Sequence, residues 1–389
     1  MPESGYFAAL SKALVSAGLW QPTLVIDRNR LDRNLQKVRE RVPAHLDLRI
    51  VDKSLASVPL LQYIANVLNS NKIMGFHLPV TLAVLEAMPE TDVLFGKPMP
   101  VGALHQLLAS QPPERSQRLF ANTTWLIDTP QRLQQYHGLA QASQCELKFV
   151  FEVNVGLHRG GFTSVSELAA AVNLLPQLPL LKCQGLMGYD AQVAEVPKLF
   201  GGPKQELINS QQKLQAFVDC LPQENREIIN TGGSKTILSY SNDTVATEIS
   251  VGSAFLQPTD FDLDSLVELQ PALFIATPVL KVIAASLPGP SWLTRVLQAI
   301  GQFPRKGCFI YGGKWMAKPV WPSGIRANSL WGESSNQQFM ALPDSSTVKV
   351  DDLVFFRPTQ SEAVLQYFGD LAVMDAGIVV EFWPVLAPG

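Results

Sequence analysis

Cysteine and histidine are scarce in this chain. Its four cysteines, Cys145, Cys183, Cys220 and Cys308, lie far apart and form no Cys-x-x-Cys pair. That spacing excludes a disulfide scaffold and a zinc ribbon, and it reads as reduced packing thiols of a cytoplasmic protein. The five histidines end at His158, so the remainder of the chain offers no imidazole ligand. Positive charge is not in excess either: the formal net charge is −3. No electrostatic footprint for nucleic acid follows from that balance. No apolar run approaches the ~18 residues that would span a bilayer, so no membrane partner is expected. Nor does Met1-Pro2-Glu3-Ser4-Gly5 open a basic-then-apolar leader.

What the chain has is core. Of 389 residues, 47% are hydrophobic. A β/α barrel takes roughly 250 residues, so one barrel and one smaller domain suit this length. Pro22-Thr23-Leu24-Val25-Ile26-Asp27 reads as a strand ending on a helix cap, with Asp27 accepting from the next turn. Leu31, Leu35, Val38 and Val42 then fall at helical spacing. A strand–helix rhythm follows, with strands expected at 46–52, 72–76, 92–96, 124–128, 146–154, 181–187, 227–231 and 247–251. Helices such as Pro59–Leu68 and Val165–Leu175 fill the gaps. Eight parallel strands with crossover helices close into an α/β TIM barrel. Past about residue 265 short strand-like runs take over, among them Thr347-Val348-Lys349-Val350 and Leu353-Val354-Phe355-Phe356. The expected division is therefore a barrel over 1–264, with an N-terminal extension 1–21, and an antiparallel β domain over 265–389.

Barrel enzymes carry their chemistry at the C-terminal ends of the strands. There the sequence places Lys53 after the first strand, His77 after the second, Asp128 after the fourth and Arg159 after the fifth. Tyr189 and Asp190 follow the sixth, Gly232-Gly233-Ser234 the seventh and Gly252-Ser253 the eighth. A lysine at such a mouth can hold an aldehyde cofactor as an imine that a substrate amine displaces. Alone, a lysine is more often a solvated surface residue; its position and companions give it weight. Gly232-Gly233-Ser234 can bring backbone N–H groups close to a phosphate, and it lacks the spacing of a nucleotide P-loop. Arg159, between Gly156 and Gly160-Gly161, sits on a tight turn that can aim a cation inward. Tyr189 can stack on a cofactor ring. His77 and His158 carry little signal beyond ordinary polar residues. Together these groups suggest pyridoxal phosphate.

In the order Leu48-Arg49-Ile50-Val51-Asp52-Lys53, Asn154-Val155-Gly156-Leu157-His158-Arg159-Gly160-Gly161, Gly185-Leu186-Met187-Gly188-Tyr189, Thr231-Gly232-Gly233-Ser234 and Glu248-Ile249-Ser250-Val251-Gly252-Ser253, the segments resemble a known family. It is the fold-type III pyridoxal-phosphate enzymes of the D-threonine aldolase and D-serine dehydratase group, with the alanine racemase barrel a more distant relative. The resemblance implies that Lys53 binds the cofactor and Arg159 reaches its phenolic oxygen. It implies further that Tyr189 lies near the ring, and that Gly232, Gly233, Ser234, Gly252 and Ser253 hold the phosphate. It implies a homodimer acting on an amino acid.

One segment departs from the family. Where the aldolases and dehydratases carry a metal-binding Pro-x-His-x-Cys or Pro-x-His-x-Asp, this chain reads Pro358-Thr359-Gln360-Ser361-Glu362. If extended, the segment would point Gln360 and Glu362 the same way. Amide and carboxylate oxygens disfavour zinc and leave Mg²⁺, Mn²⁺ or no metal. Glu362 can equally serve as an acid/base without metal. The expected activity is a pyridoxal-phosphate-dependent lyase acting on a D-amino acid, with a β-hydroxy one favoured, of aldolase or dehydratase type. A racemase, a non-catalytic pyridoxal-phosphate-binding protein and a sugar- or phosphate-handling barrel are the alternatives.

Overall fold

The computed structural model describes residues 3–387. It holds β1 (Thr23–Asp27), then β2 (Asp47–Val51), β3 (Lys72–Gly75), β4 (Asp92–Phe95), β5 (Thr123–Ile127), β6 (Leu147–Glu152), β7 (Leu181–Gly188), β8 (Ile228–Thr231) and β9 (Glu248–Val251). The later strands are β10 (Leu273–Ala284), β11 (Lys306–Tyr311), β12 (Ala317–Trp321), β13 (Arg326–Ala327), β14 (Gln337–Leu342), β15 (Leu353–Pro358), β16 (Leu371–Asp375) and β17 (Ile378–Trp383). Strands β2 to β9 close into a barrel in sequence order, every neighbouring pair parallel. All eight expected strands are these.

Helix caps explain why the crossovers start where they do. Ser57 and Thr129 each accept a backbone N–H three residues on, and each is followed within two positions by a proline. Ser164 and Glu167 form a reciprocal capping box. Asp27 accepts from the Arg30 N–H at 3.1 Å, the cap read from sequence.

The barrel interior follows the two-residue period of its strands. Val51, Met74, Leu94, Leu126, Val150, Met187 and Ile228 fill the middle. Nearer the N-terminal ends lies a polar layer around Arg49, which is fully buried. Its guanidinium grips both Glu248 carboxylate oxygens, at 2.6 and 2.8 Å, and also donates to Asp92. Asn230 and Lys72 donate to the same Glu248 carboxylate. Between strands and helices the outer faces pack Phe95, Trp125, Ile127, Phe149, Phe151 and Leu186. One irregularity interrupts the period. Phe149 pairs with Cys183 but Val150 pairs with Gly185, so Gln184 is an extra residue in β7. Gly185 sits there at φ +155°, and a Cβ on it would lie 1.8 Å from the Ile228 carbonyl oxygen.

The described chain parts into two compact units. The barrel unit comprises 34–255, 263–269 and 386–387; the β unit comprises 3–33, 256–262 and 270–385. This corrects the sequence division at 264. β1 belongs to the β unit because it pairs antiparallel with β10 and parallel with β16. Residues 3–33, read as the barrel's extension and lead-in, go with it. In the β unit the strand order is β13-β14-β11-β10-β1-β16-β17, with β15 also paired to β10 and to β12. Phe7, Leu14, Val25, Phe274, Phe355 and Met374 are among its core side chains. The sheet is antiparallel apart from β1 and β16. Thr347–Val350, expected as a strand, is irregular chain leading into a turn: Val348 N–H bonds to the Ser346 hydroxyl, and Lys349 N–H to the Asp352 carboxylate.

Candidate active site

At the C-terminal end of the barrel, the inward positions of successive strands run out into a ring of functional groups. β2 leads directly into a 3₁₀ turn, Asp52–Ser54, that carries Lys53. The Lys53 ammonium is exposed and lies 4.5 Å from the Phe76 ring centroid, at the end of β3. The next residue, Ser54, is buried and accepts from the Ser253 hydroxyl at 2.9 Å. The two glycine loops also meet: the Gly252 N–H donates to the Ser234 hydroxyl at 3.1 Å. Gly252 must be small, since a Cβ there would fall 2.9 Å from the Val51 Cβ. Gly233 is equally restricted, with its notional Cβ 2.5 Å from Cε2 of Tyr189. The ring closes through Tyr189 to Arg159, whose guanidinium carbon lies 5.0 Å from the tyrosine ring centroid.

The structure therefore brings Lys53, Arg159, Tyr189, Gly232, Gly233, Ser234, Gly252 and Ser253 to one rim. His77 sits outside this contact ring, at a helix N-cap position without a side-chain cap bond. His158 is turned to Asn154, their ring and amide nitrogens 3.0 Å apart. Gln360 and Glu362 lie in the β unit. β15 ends at Pro358, so the segment is not extended there and the expected alternation does not apply. Gln360 donates to the Asp260 carboxylate at 3.0 Å, and Glu362 accepts from Ser361 at 3.3 Å. Among the described residues no group of three or more His, Cys, Asp or Glu side chains is placed to hold a metal ion.

Three buried carboxyls support the ring, and their protonation is displaced by position. Burial pushes Asp52 up to about 8, offset in part by the N–H groups of Lys53 and Phe76 and the charges of Lys53 and Lys97. No hydrogen bond of normal length and angle reaches either Asp52 oxygen. Burial also raises Glu152, against the pull of the Arg159 cation. Asp190 is pushed to about 6 by burial, although Tyr240 and Thr236 donate to it at 2.7 and 3.0 Å. Thr236 also accepts the Gly233 N–H, at 3.2 Å, so Asp190 holds the glycine loop through one intermediary. Sequence reasoning missed Glu152, Phe76 and Ser54. The signal for Glu152 was present: Val150 faces inward, so the period of two puts Glu152 inward at the mouth.

These groups fit an anionic aldehyde. They offer an amine without an ion pair, a guanidinium beside an aromatic platform, and amide and hydroxyl donors on two glycine loops too close-packed to admit a side chain. That is the donor set pyridoxal phosphate requires.

Comparison with known proteins agrees with this fit. Residues 26–257 match the family described as alanine racemase, N-terminal domain. Similar solved structures include D-threo-3-hydroxyaspartate dehydratase from Delftia sp. HT23, at 17% identity over 95% of this chain and 98% of that one, with a TM-score of 0.69. D-threonine aldolase from Filomicrobium marinum is 18% identical over 93% and 94% of the two chains, with a TM-score of 0.69. Alanine racemase from Bacillus anthracis is 14% identical over 94% and 98%, with a TM-score of 0.68. No curated protein matches this chain in sequence. With the family match covering more than half of its length, the chain belongs to the alanine racemase N-terminal domain family, the fold-type III pyridoxal-phosphate enzymes.

Proposed function

We propose that this protein is a pyridoxal-phosphate-dependent lyase that acts on a D-amino acid bearing a β-hydroxyl, working as a homodimer. The observation that carries the proposal is the rim itself: Lys53, Arg159 with Tyr189, and two touching glycine loops, around a single barrel mouth. Pyridoxal phosphate, when bound, supplies an electron sink for the bonds at the substrate Cα.

Lys53 Nζ is the amine that would hold the cofactor aldehyde. Once released, it is an amine at the mouth able to take or return a proton. Arg159 would set a fixed positive charge toward the cofactor's phenolic oxygen, and Tyr189 would offer a platform for its ring. Ser54, Ser234 and Ser253 hydroxyls, with amides of the Gly232–Ser234 and Gly252–Ser253 loops other than those of Gly233 and Gly252, which bond to Thr236 and Ser234, would hold the phosphate. Glu152 steadies Arg159. For Glu362 the role we propose is that of an acid/base acting without a zinc ion, with any metal a weakly held Mg²⁺ or Mn²⁺.

The absorption spectrum of the purified protein tests the proposal. An imine band that borohydride bleaches, with the pyridoxyl label mapped to Lys53, supports it. So does release of an aldehyde or of ammonia from D- but not L-β-hydroxy amino acids. A label on another lysine, or conversion of alanine alone, overturns it.

A further inference from the structure

The helix Ser291–Ala299, on the excursion between β10 and β11, is folded inside out. Trp292, Leu293, Val296 and Ile300 form a stripe on and just beyond it, and they are 60, 38, 48 and 62% exposed. Two polar residues of the same helix, Thr294 and Gln298, face the protein. Thr294 is buried and accepts the Leu287 N–H. Gln298 donates to the carbonyls of Ala285 and Pro304. Only Leu297 turns an apolar side chain inward, against Ala285, Phe303 and Phe339. A surface helix ordinarily does the reverse, so this stripe needs a partner.

The surrounding sequence says of what kind. Residues 269–332 contain seven Lys and Arg and not one Asp or Glu, in a chain whose net charge is −3. Arg295 on the helix and Arg305 just after it are exposed. Arg305 has a carboxylate neighbour, Asp344, at 3.9 Å, and Lys306 donates to the Ser346 carbonyl. The same face of a second copy would set the same cations against each other, so the complement that fits the charge is anionic. The excursion satisfies part of its own backbone through Thr294 and Gln298 and exposes apolar side chains and cations with no carboxylate of its own. A hydrocarbon–headgroup boundary asks for this combination. We propose that this face, the Trp292–Val296–Ile300 stripe flanked by Arg295 and Arg305, docks in the plane of an anionic lipid surface.

Flotation of the full-length holoenzyme with vesicles tests it. Binding is expected to vesicles of phosphatidylcholine mixed with phosphatidylglycerol, weakly or not at all to phosphatidylcholine alone, and to fall with added salt. The double variant Trp292→Ser with Ile300→Ser should lower binding by about tenfold or more. Arg295→Gln with Arg305→Gln should weaken binding to the anionic vesicles only. These side chains are exposed, and an unchanged cofactor spectrum and thermal transition will show that the variants fold. The proposal falls if neither vesicle binds, or if the variants bind as wild type does. It also falls if the protein binds polyglutamate but not vesicles, or if the double variant loses an oligomer that wild type forms, for then an acidic protein or a second copy covers the stripe.

Discussion

The guanidinium of Arg159 lies over the face of Tyr189, 5.0 Å from its centroid, and a Cβ on Gly233 would strike the edge of the same ring. Tyr189 therefore links the cation to the glycine loop. Replacing it by alanine should weaken cofactor retention by roughly tenfold, the scale of a cation–π contact plus a ring platform. Tyr189→Phe should keep most of the affinity. Titration of the apoprotein with pyridoxal phosphate, read by absorbance, measures both.

Gly233→Val should abolish tight cofactor binding. The added branches need space that Cε2 of Tyr189 occupies at 2.5 Å from the notional Cβ. The stability of the variant by urea unfolding distinguishes a local loss from a global one. Wild-type cofactor affinity in a folded Gly233→Val would contradict the assignment of this loop.

Asp52 should make stability depend on pH. Unfolded, it releases its proton near 3.8; folded, it keeps it to about 8. Between those values the folded state holds the extra proton, so this group lowers stability by about 1.4 kcal/mol for each unit of pH increase, levelling off above the upper value. Asp52→Asn removes that dependence. Urea unfolding from about pH 5 to about pH 9 should show the variant gaining on wild type as pH rises.

Glu248 should be far more costly to lose than a surface carboxylate. It is fully buried against Arg49 and also receives Lys72 and Asn230. Glu248→Ala strands the Arg49 cation in the barrel, a loss of about 3–5 kcal/mol. Calorimetry or denaturant melts check it.

No stoichiometric zinc should be found in the purified protein, and chelators should leave the cofactor-bound spectrum unchanged. Glu362→Gln should slow turnover by about a hundredfold if this carboxylate moves a proton. Metal analysis and an assay with D-β-hydroxy amino acids test the two halves separately.

The barrel was legible because it rests on local signals. Eight apolar runs separated by capped helices, each pair close in sequence, leave little choice of topology. The Lys53 turn and the two glycine loops were legible for the same reason: each follows directly from a strand end. What escaped depended on distant partners. Thr23–Asp27 reads as a strand, but nothing in its five residues says that it pairs with Leu273–Ala284 and Leu371–Asp375. Thr347-Val348-Lys349-Val350 alternates like a strand, yet the side chains of Ser346 and Asp352 take two of its amides and no strand forms. The extension assumed for Gln360 and Glu362 likewise ends with β15, at Pro358.

The single extra residue in β7 decides which side chain the strand delivers at its end. Were Gln184 paired with Val150 instead of bulged, the alternation would run unbroken, and Leu186 rather than Met187 would enter the barrel. Tyr189 would then turn toward the helices and Arg159 would lose its platform. Deleting Gln184 would leave the pairs on both sides of it as they are, so Met187 and Tyr189 would keep their faces. A barrel with such a bulge can absorb one inserted residue and still deliver the same ring-facing group at the strand end.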